Sequence, residues 1–566
     1  MELLYIWIEN FRNIVESGFN FSSQGRFEFN KEKLELSFNQ NANFISDFFH
    51  KNITNITGIV GRNGTGKSNI LELINYMFRN ANTAGLSPFF FLIEENKVIK
   101  CYTYSMRAQI KDNSGLNIKF IEYNGVHSGF TNIYFSNVFD NRKNYFADEI
   151  LDLSTNKFGW NKYGENIHSF QQREIRNQIR FISSRYFNKI KNEDLRIPQE
   201  IILSSPLWVN LKNKTQKVER KYGVIGLNEL FRKYQPRFRD AKSDRSFHYF
   251  TSFLIFINTF FNPIGEYTDE EQYQLGRSHY HLDNQQIEDL NFIIKEILYG
   301  EFDIRELHYF IISTFSDFLQ NNIQRSKPLV QFLKNELNES FNEGLIMSKK
   351  SKGSHSKGRL EFTINFNNKS SSNFLKAYFD ATGDITLYNF EWGGISSGEK
   401  AFLSLFSRFH SIIRRVRQKN VLICIDEGDL YFHPKWQKEF LFYLINVLPE
   451  IFGDRKLQII LSTHSPFLVS DLPKPSLIFL DVDEFGICSV KNANEVDVET
   501  FGGNIHTLYT KTFFLEDGTI SEFAYNKLIE LQKLIKENKS SSNIQKIINL
   551  IGEPILKNQF EKSLGK

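Results

Sequence analysis

A glycine-rich octapeptide has the residue types and the spacing of a phosphate-binding loop. Residues 61–68 read Gly-Arg-Asn-Gly-Thr-Gly-Lys-Ser. Glycines let the backbone bend so that several N–H groups point at an anion, and the start of a helix adds partial positive charge. In this pattern we expect Lys67 to neutralise the β- and γ-phosphates of ATP and the Ser68 hydroxyl to ligate Mg²⁺.

The segments around this loop have the order that phosphate binding needs. Residues 53–60 form a β-branched run typical of a buried strand, and residues 69–78 have apolar side chains at helical spacing. The alternative, an ordinary glycine turn, requires neither flank. The residues predicted to contact ATP are Arg62, Asn63, Gly64, Thr65, Gly66, Lys67, Ser68 and Asn69.

A second set of polar residues follows two apolar runs late in the chain. Residues 421–427 read Val-Leu-Ile-Cys-Ile-Asp-Glu, which is typical of a buried parallel strand with acids at its carboxyl end. We expect Asp426 to hold Mg²⁺ through water and Glu427 to act as the general base. A core strand that ends in a solvated acidic turn is the alternative.

The second, mostly apolar run, residues 457–461, is followed by Ser-Thr-His at residues 462–464. We expect His464 to touch the γ-phosphate and orient the attacking water, whereas a histidine after a strand is more often structural.

A serine-rich loop before a predicted helix offers another anion site. Ser396, Ser397, Gly398 and Glu399 precede apolar residues at helical spacing. One protomer does not obviously need two such sites for one nucleotide. In a dimer, each serine loop could close over the γ-phosphate held by the partner's phosphate loop.

The order of these segments resembles the ABC-type ATPase head of the SMC, Rad50, RecF and OLD branch. The opening Tyr-Ile-Trp-Ile-Glu-Asn-Phe-Arg-Asn-Ile at residues 5–14 is similar to the first strand of that branch. Residues 426–434 resemble its Asp-Glu-Pro-Glu-x-x-Leu-His-Pro segment, and residues 463–467 resemble its histidine segment. The resemblance implies an α/β fold in which a P-loop sheet carries helices.

The resemblance also implies roles for residues of the serine loop and the acidic segment. Ser396, Ser397, Gly398 and Glu399 take the place of the signature that acts in trans, and Asp429 takes the place of the residue that senses the opposite subunit. The signature reads Ile-Ser-Ser-Gly-Glu instead of Leu-Ser-Gly-Gly-Gln. The family's glutamine loop could fall near residues 133–137, but no residue there is assigned.

The chain between the two halves of the head is too long for a minimal head. We predict an N-terminal half at residues 1–150 and a C-terminal half at 375–520, interrupted by a large, mainly helical insertion at 151–374. Helix-compatible stretches cover residues 170–186, 286–298, 304–319 and 328–341, without the sustained heptads of a coiled-coil arm. A helical tail is expected at 521–566.

Composition restricts the class of protein. Lys plus Arg is 69 and Asp plus Glu is 65, so a net charge of +4 over 566 residues excludes a polycation, and any contact with nucleic acid has to be a local patch. Three distant cysteines and an N-terminus without signal-peptide features favour a cytoplasmic protein, and no run is apolar enough to span a bilayer. We therefore expect no membrane partner.

Two further patterns are open to more than one interpretation. The basic tract at residues 349–359 could contact a phosphate backbone or be a solvated loop. His279, His281 and Asp283 alternate as metal ligands on a strand would, but they lack a supporting cluster and are more often surface residues.

The C-terminal segment resembles that of ATPases from bacterial anti-phage systems of the Septu, retron-associated and PARIS types. No nuclease centre is evident in the sequence. The resemblance implies an ATP-dependent homodimer, or a higher even oligomer, that acts as a sensor or scaffold for a separate effector such as a nuclease or toxin. The alternatives are a DNA-repair ATPase of the RecF or Rad50 kind, a transporter's nucleotide-binding subunit, and a binding module without hydrolysis.

Overall fold

The fold is described from a computed structural model of the chain. The described residues are 1–79, 85–140, 145–159, 167–189, 199–240, 245–259, 283–322, 326–337, 346–349, 360–366, 369–382, 387–491, 498–512, 520–537 and 542–564. The basic tract lies outside these ranges except for Lys349, and so do His279 and His281.

The strands in chain order are β1 (Glu2–Phe11), β2 (Ile14–Asn20), β3 (Gly25–Asn30), β4 (Glu35–Gln40), β5 (Ile53–Gly61), β6 (Phe89–Glu95), β7 (Val98–Tyr104), β8 (Lys111–Asp112), β9 (Lys119–Glu122), β10 (Phe130–Ser136), β11 (Leu151–Asp152), β12 (Glu200–Ser204), β13 (Ile346–Lys349), β14 (Glu361–Asn365), β15 (Asn389–Gly393), β16 (Asn420–Asp426), β17 (Lys456–Thr463), β18 (Leu477–Val482) and β19 (Cys488–Lys491).

The α-helices in chain order are α1 (Lys67–Arg79), α2 (Thr155–Gly159), α3 (Ile167–Ile182), α4 (Trp208–Tyr222), α5 (Leu227–Asp240), α6 (Ser246–Thr259), α7 (Asn284–Tyr299), α8 (Ile304–Phe310), α9 (Ser316–Asn322), α10 (Lys327–Gln331), α11 (Lys369–Thr382), α12 (Ser397–Ser411), α13 (Pro434–Phe452), α14 (Pro466–Asp471), α15 (Ile505–Thr512), α16 (Glu522–Lys536), α17 (Ser542–Leu550) and α18 (Pro554–Ser563). One π-helical turn, Ile311–Phe315, joins α8 to α9, and another, Phe332–Glu336, follows α10. Short 3₁₀ turns lie at Arg185–Lys189, Ile413–Arg415 and Lys474–Ser476.

A twelve-stranded sheet in the order β11-β10-β16-β17-β5-β18-β19-β2-β1-β6-β7-β9 forms the centre of the molecule. The half from β11 to β18 is parallel, so the carboxyl ends of β10, β16, β17 and β5 meet at one edge. The other half is mainly antiparallel, and the small sheet β3-β4-β8 accompanies it. Since loops that follow parallel strands share that edge, the sheet brings distant polar segments together.

Both faces of the parallel half are buried because its strands are mostly apolar. Leu422 and Cys424 of β16 pack in the cluster that contains α1, whereas Ile423 and Ile425 pack in the cluster that contains α12 and α13. Successive side chains of a strand point to opposite faces, so a continuous apolar run produces helices on both sides.

The insertion has its own core of mostly aromatic and aliphatic side chains, which continues past the predicted boundary at residue 374 as far as Trp392. This core joins helices α4 to α11 to a four-stranded sheet in the order β13-β14-β12-β15. Strand β15 ends at Gly393, four residues before α12 begins at Ser397. The insertion therefore leads directly into the helix that follows the serine loop.

The predicted fold class, an α/β ATPase head interrupted by a large, mainly helical insertion, is confirmed. The four-stranded sheet of the insertion was not predicted, because its strands have only four or five residues. None of the helices in the described ranges combines the length and the apolar character that a bilayer span requires.

Candidate nucleotide site

The phosphate loop lies between β5 and α1, as its flanking sequence predicts. Gly64 and Gly66 have φ angles of 80° and 99°, in the left-handed region that favours glycine. A Cβ at Gly66 would also lie 2.9 Å from Asn13 Oδ1. Arg62, Asn63 and Gly64 are exposed at the tip of the loop.

The Lys67 side chain is buried under this loop. Its ammonium donates to the carbonyl oxygens of Gly61 and Arg62, at 3.0 Å each. Burial lowers the pKa of Lys67 to about 8, an effect that the nearby carboxylates of Glu427 and Asp426 oppose. Phosphate oxygens at the loop would favour the protonated lysine further.

Asp426 ends β16 and accepts hydrogen bonds from hydroxyls of three other elements. Ser462 Oγ donates to Asp426 Oδ1 at 2.6 Å, Ser68 Oγ donates to the same oxygen at 3.0 Å, and the Tyr134 hydroxyl donates to Oδ2 at 3.2 Å. Burial raises the pKa of the Asp426 carboxyl, and the Ser462 and Ser68 hydrogen bonds oppose that rise.

Glu427 follows at the edge of the sheet in a strained backbone conformation. Its φ is 48°, which a residue with a side chain seldom adopts, and its N–H donates to Ser462 Oγ at 3.0 Å. His464 Nε2 lies 3.4 Å from Glu427 Oε1. The hydrogen bond from His464 lowers the pKa of the Glu427 carboxyl, so this group is a carboxylate near neutral pH.

The donor atoms at this edge fit a magnesium ion. Magnesium prefers carboxylate and hydroxyl oxygens together with water, and the Ser68 hydroxyl and the Asp426 carboxylate are hydrogen-bonded to each other at 3.0 Å. A cation beside Asp426 would offset the cost of burying its charge. Groups of three or more His, Cys, Asp or Glu that could hold a metal on their own are absent from the described residues.

Asp429 lies two residues beyond the candidate base and is buried. Thr463 Oγ1 donates to Asp429 Oδ2 at 3.0 Å, and Gln437 Nε2 donates to the Asp429 carbonyl oxygen at 3.4 Å. Burial raises the pKa of Asp429 to about 6. Its carboxyl is thus held beneath the turn, and the exposed residues of this turn are Leu430 and Tyr431.

The serine loop begins α12 with a capping box. The Ser396 side chain accepts from the Glu399 N–H at 3.2 Å, and the buried Glu399 carboxylate accepts from the Ser396 N–H at 2.6 Å. Ser396 and Ser397 are exposed, and a Cβ at Gly398 would lie 3.2 Å from the Tyr431 carbonyl oxygen. Among the described residues, no hydrogen bond joins this loop to the phosphate loop of the same chain.

Several residues that support the site were not predicted from the sequence. Tyr134 and Ser462 lie in buried strands, where a hydroxyl carries no motif. Arg12 donates to Asn69 Oδ1 at 2.7 Å, and Asn13 Nδ2 donates to the Gly64 carbonyl oxygen at 3.2 Å. The first strand's similarity to one branch of ATPases was the signal that could have pointed to these two.

A family model described as "AAA domain, putative AbiEii toxin, Type IV TA system" matches residues 56–470, from β5 through the histidine segment to α14. The chain belongs to this family. The match spans the phosphate loop, the insertion, the serine loop, the acidic strand and the histidine segment, whereas Arg12 and Asn13 lie before its first residue.

Two curated relatives match parts of this AAA-family chain. The Septu protein PtuA of Bacillus thuringiensis is 29% identical over 192 residues, which are 32% of the chain and 45% of that protein. The retron Vc95 probable ATPase of Vibrio cholerae serotype O1 biovar El Tor is 35% identical over 97 residues, which are 15% of the chain and 16% of that protein. The matches cover less than half the length of each relative. The predicted resemblance to Septu and retron ATPases is confirmed.

Proposed function

We propose that this protein binds and hydrolyses ATP with Mg²⁺ in a homodimer, or a higher even oligomer, and thereby controls a separate effector in bacterial anti-phage defence. The observation that supports hydrolysis best is the assembly of Lys67, Ser68, Asp426, Glu427 and His464 at one edge of the sheet. A module that only bound nucleotide would not require a strained carboxylate beside a histidine.

Each residue has a proposed role in the reaction. The loop from Arg62 to Asn69 and the Lys67 ammonium hold the phosphates, and Ser68 and Asp426 would hold the metal. Magnesium, when bound, neutralises charge on the β- and γ-phosphates. The Glu427 carboxylate accepts a proton from the attacking water, while His464 orients this carboxylate and contacts the γ-phosphate.

The serine loop supports the proposal of a dimer. Ser396 and Ser397 are exposed at the N-terminus of a fifteen-residue helix, where backbone N–H groups favour an anion. No hydrogen bond between described residues joins the two loops within one chain, so we propose that Ser396, Ser397, Gly398 and Glu399 close on the partner's nucleotide. Asp429, beneath the exposed Leu430 and Tyr431, would sense that partner.

The relatives support a defence role for the whole assembly. One is named a Septu protein and the other a retron ATPase, and both system types belong to the anti-phage class that the C-terminal segment resembles. ATP would shift the dimer toward a closed state through its higher affinity for that state, and hydrolysis would reset it. We propose cytoplasmic action on an effector such as a nuclease or toxin. The runner-up is a RecF- or Rad50-like ATPase that acts directly on DNA.

Two variants test the catalytic assignment. Glu427→Gln keeps the shape but loses the base, so we expect ATP hydrolysis to fall by about a hundredfold or more while ATP binding survives. Lys67→Ala should weaken ATP binding itself. Steady-state phosphate release and binding of a fluorescent ATP analogue distinguish the two effects, and equal hydrolysis rates in wild type and Glu427→Gln would contradict the proposal.

The same variants test effector control. Tagged Glu427→Gln should remain closed on ATP and retain the effector when it is isolated from its host with ATP and magnesium. Lys67→Ala is the control, because it should not close. A stoichiometric protein retained by Glu427→Gln alone supports the proposal. Recovery of DNA without a protein partner supports the runner-up instead.

A further inference from the structure

The four exposed cations between α12 and β16 form an unusual segment of this chain. Arg414, Arg415, Arg417 and Lys419 lie within six residues, and residues 400–425 contain no aspartate or glutamate. The chain as a whole has nearly equal numbers of acidic and basic residues. A solvated surface of average composition would therefore mix both signs.

Neighbouring strands extend this cluster along the amino edge of the sheet. The Lys456 N–H donates to the Lys419 carbonyl oxygen at 2.8 Å, and Arg455 Nη2 donates to the Val416 carbonyl oxygen at 2.9 Å. Lys456 Nζ in turn donates to the Lys51 carbonyl oxygen at 2.6 Å. We call the seven cations of this surface the basic edge: Lys51, Arg414, Arg415, Arg417, Lys419, Arg455 and Lys456.

The four cationic side chains between α12 and β16, here called the loop cations, form no polar contacts with other described residues. In the part of the chain that the structure describes, Arg414, Arg415, Arg417 and Lys419 make no ion pair and no side-chain hydrogen bond. The exposed acids on the adjoining stretch are Glu450 and Asp454, and Asp454 immediately precedes Arg455. A partner that supplies several negative charges would fit this surface.

We propose that the basic edge binds the phosphate backbone of duplex nucleic acid. Three of the four loop cations are arginines, whose planar guanidinium groups match phosphate oxygens in pairs. Protein interfaces use aromatic and apolar anchors, and single-strand sites use aromatic stacking. None of the exposed large apolar side chains of the described residues lies in residues 411–420 or 453–457, and those nearest to the basic edge in sequence, Ile45 and Phe48, precede Lys51.

The basic edge is separate from the candidate nucleotide site. Asp426 and Thr463 end strands β16 and β17 at the carboxyl edge, whereas Asn420 and Lys456 begin them at the amino edge. Seven residues of β16 span about 20 Å at the rise of a strand. Binding at the basic edge can therefore be measured without ATP, and its failure would leave the proposed hydrolysis untouched.

The proposal is tested by measuring the affinity for a fluorescent duplex of about 30 base pairs at several salt concentrations. Each phosphate contact on B-DNA steepens the slope of log affinity against log salt concentration by about 0.9. With four contacts, affinity should fall by roughly 100-fold between about 50 and 200 mM salt. The variant Arg414→Gln/Arg415→Gln/Arg417→Gln/Lys419→Gln should lose at least about tenfold in affinity at low salt and about 3.6 units of slope.

A matched variant controls for net charge. Lys33→Gln/Lys97→Gln/Lys111→Gln/Lys119→Gln removes the same number of charges from exposed positions on the small sheet β3-β4-β8 and on the strands β6 to β9, and it should bind the duplex like wild type. Unchanged melting temperature and ATP hydrolysis in the loop variant would show that it folds.

Three results would overturn the proposal. They are a wild type that binds neither DNA nor RNA duplexes, a loop variant that keeps the full affinity and salt slope, and a control variant that loses as much affinity as the loop variant. Binding to anionic vesicles in place of duplexes would assign the basic edge to a lipid surface and also overturn it.

Discussion

Three hydroxyls donate hydrogen bonds to the Asp426 carboxylate, and they come from β10, β17 and the start of α1. They give both carboxylate oxygens a partner in a buried setting, where an unpaired charge would be costly. Ser462 contributes twice, since it donates to Asp426 and accepts from the Glu427 N–H. A single hydroxyl thus fixes the carboxylate and the backbone of the candidate base.

Asp429 should make the stability of the protein depend on pH. Its folded pKa of about 6 lies above its ordinary value of 3.8, so the folded state favours the protonated carboxyl. The associated stability is present below about pH 4 and is lost as pH rises through 6, with a cost of about 3 kcal/mol at pH 8. Asp429→Asn keeps an acceptor for Thr463 and removes that cost.

Thermal unfolding of wild type and Asp429→Asn over a pH series measures this effect. The variant should be more stable at pH 8, and the difference should shrink toward zero near pH 4. A difference that stays constant over the whole series would contradict the argument.

The motif residues could be predicted from sequence because their function is encoded locally. Lys67 and Ser68 belong to one octapeptide, and Asp426 and Glu427 end one apolar strand. Tyr134 could not be found in that way. Its hydroxyl matters only because β10 pairs with β16 in a register that places Tyr134 opposite Cys424, two positions before Asp426, and that pairing joins segments far apart in the chain.

Contacts between helix α3 of the insertion and helix α12 connect the insertion to the serine loop. Arg408 of α12 forms two hydrogen bonds with Glu174 of α3, at 2.9 and 3.0 Å, in a buried position. Gln178 of α3 donates to Ser404 Oγ at 3.0 Å and accepts from Trp392 Nε1 at 2.7 Å. A displacement of the insertion would therefore act on the helix that presents Ser396.

Breaking the buried ion pair should loosen both helices. Removing one partner of such a pair costs about 3–5 kcal/mol, because the remaining charge stays buried. Arg408→Met and Glu174→Gln should each speed hydrogen exchange of the amides in α3 and α12. The double variant should be less disturbed than the sum of the single variants, because neither charge is left alone.

Exposed Arg180 offers a control, since it pairs with Asp380 at 3.0 Å on the surface. Arg180→Met should change exchange little, in line with the small contribution of exposed pairs. Equal effects of the buried and the exposed substitutions would contradict the proposed connection.

The helices of the insertion were predicted better than its sheet. The stretch at 286–298 is observed as Asn284–Tyr299, because a long apolar repeat specifies a helix by itself. The stretch at 304–319 is interrupted by a π-helical turn, Ile311–Phe315, which apolar spacing does not reveal. Strands β12 and β15 have five residues each, too few to show a period, and their pairing is set by the tertiary fold.

The parallel half of the large sheet has two chemically different edges. Candidate catalytic groups lie at the carboxyl edge and the cations of the basic edge at the amino edge, with the insertion attached beside the serine loop. The arrangement of the sheet was predicted only through the resemblance to ABC-type ATPase heads. Sheet order and contacts between segments hundreds of residues apart are not local properties of a sequence. The near-zero net charge concealed the basic edge for the same reason.

We propose that each ATP site is formed by the phosphate loop of one chain and the serine loop of its partner. Mixing two inactive variants tests for this shared site. Ser396→Arg should block the serine loop, and Lys67→Ala should disable the phosphate loop. A mixed dimer contains one intact composite site, so an equal mixture should recover about a quarter of wild-type hydrolysis if chains pair at random in a symmetric dimer. Recovery of that size is the predicted result. Two variants that are inactive alone and stay inactive together would contradict the shared site.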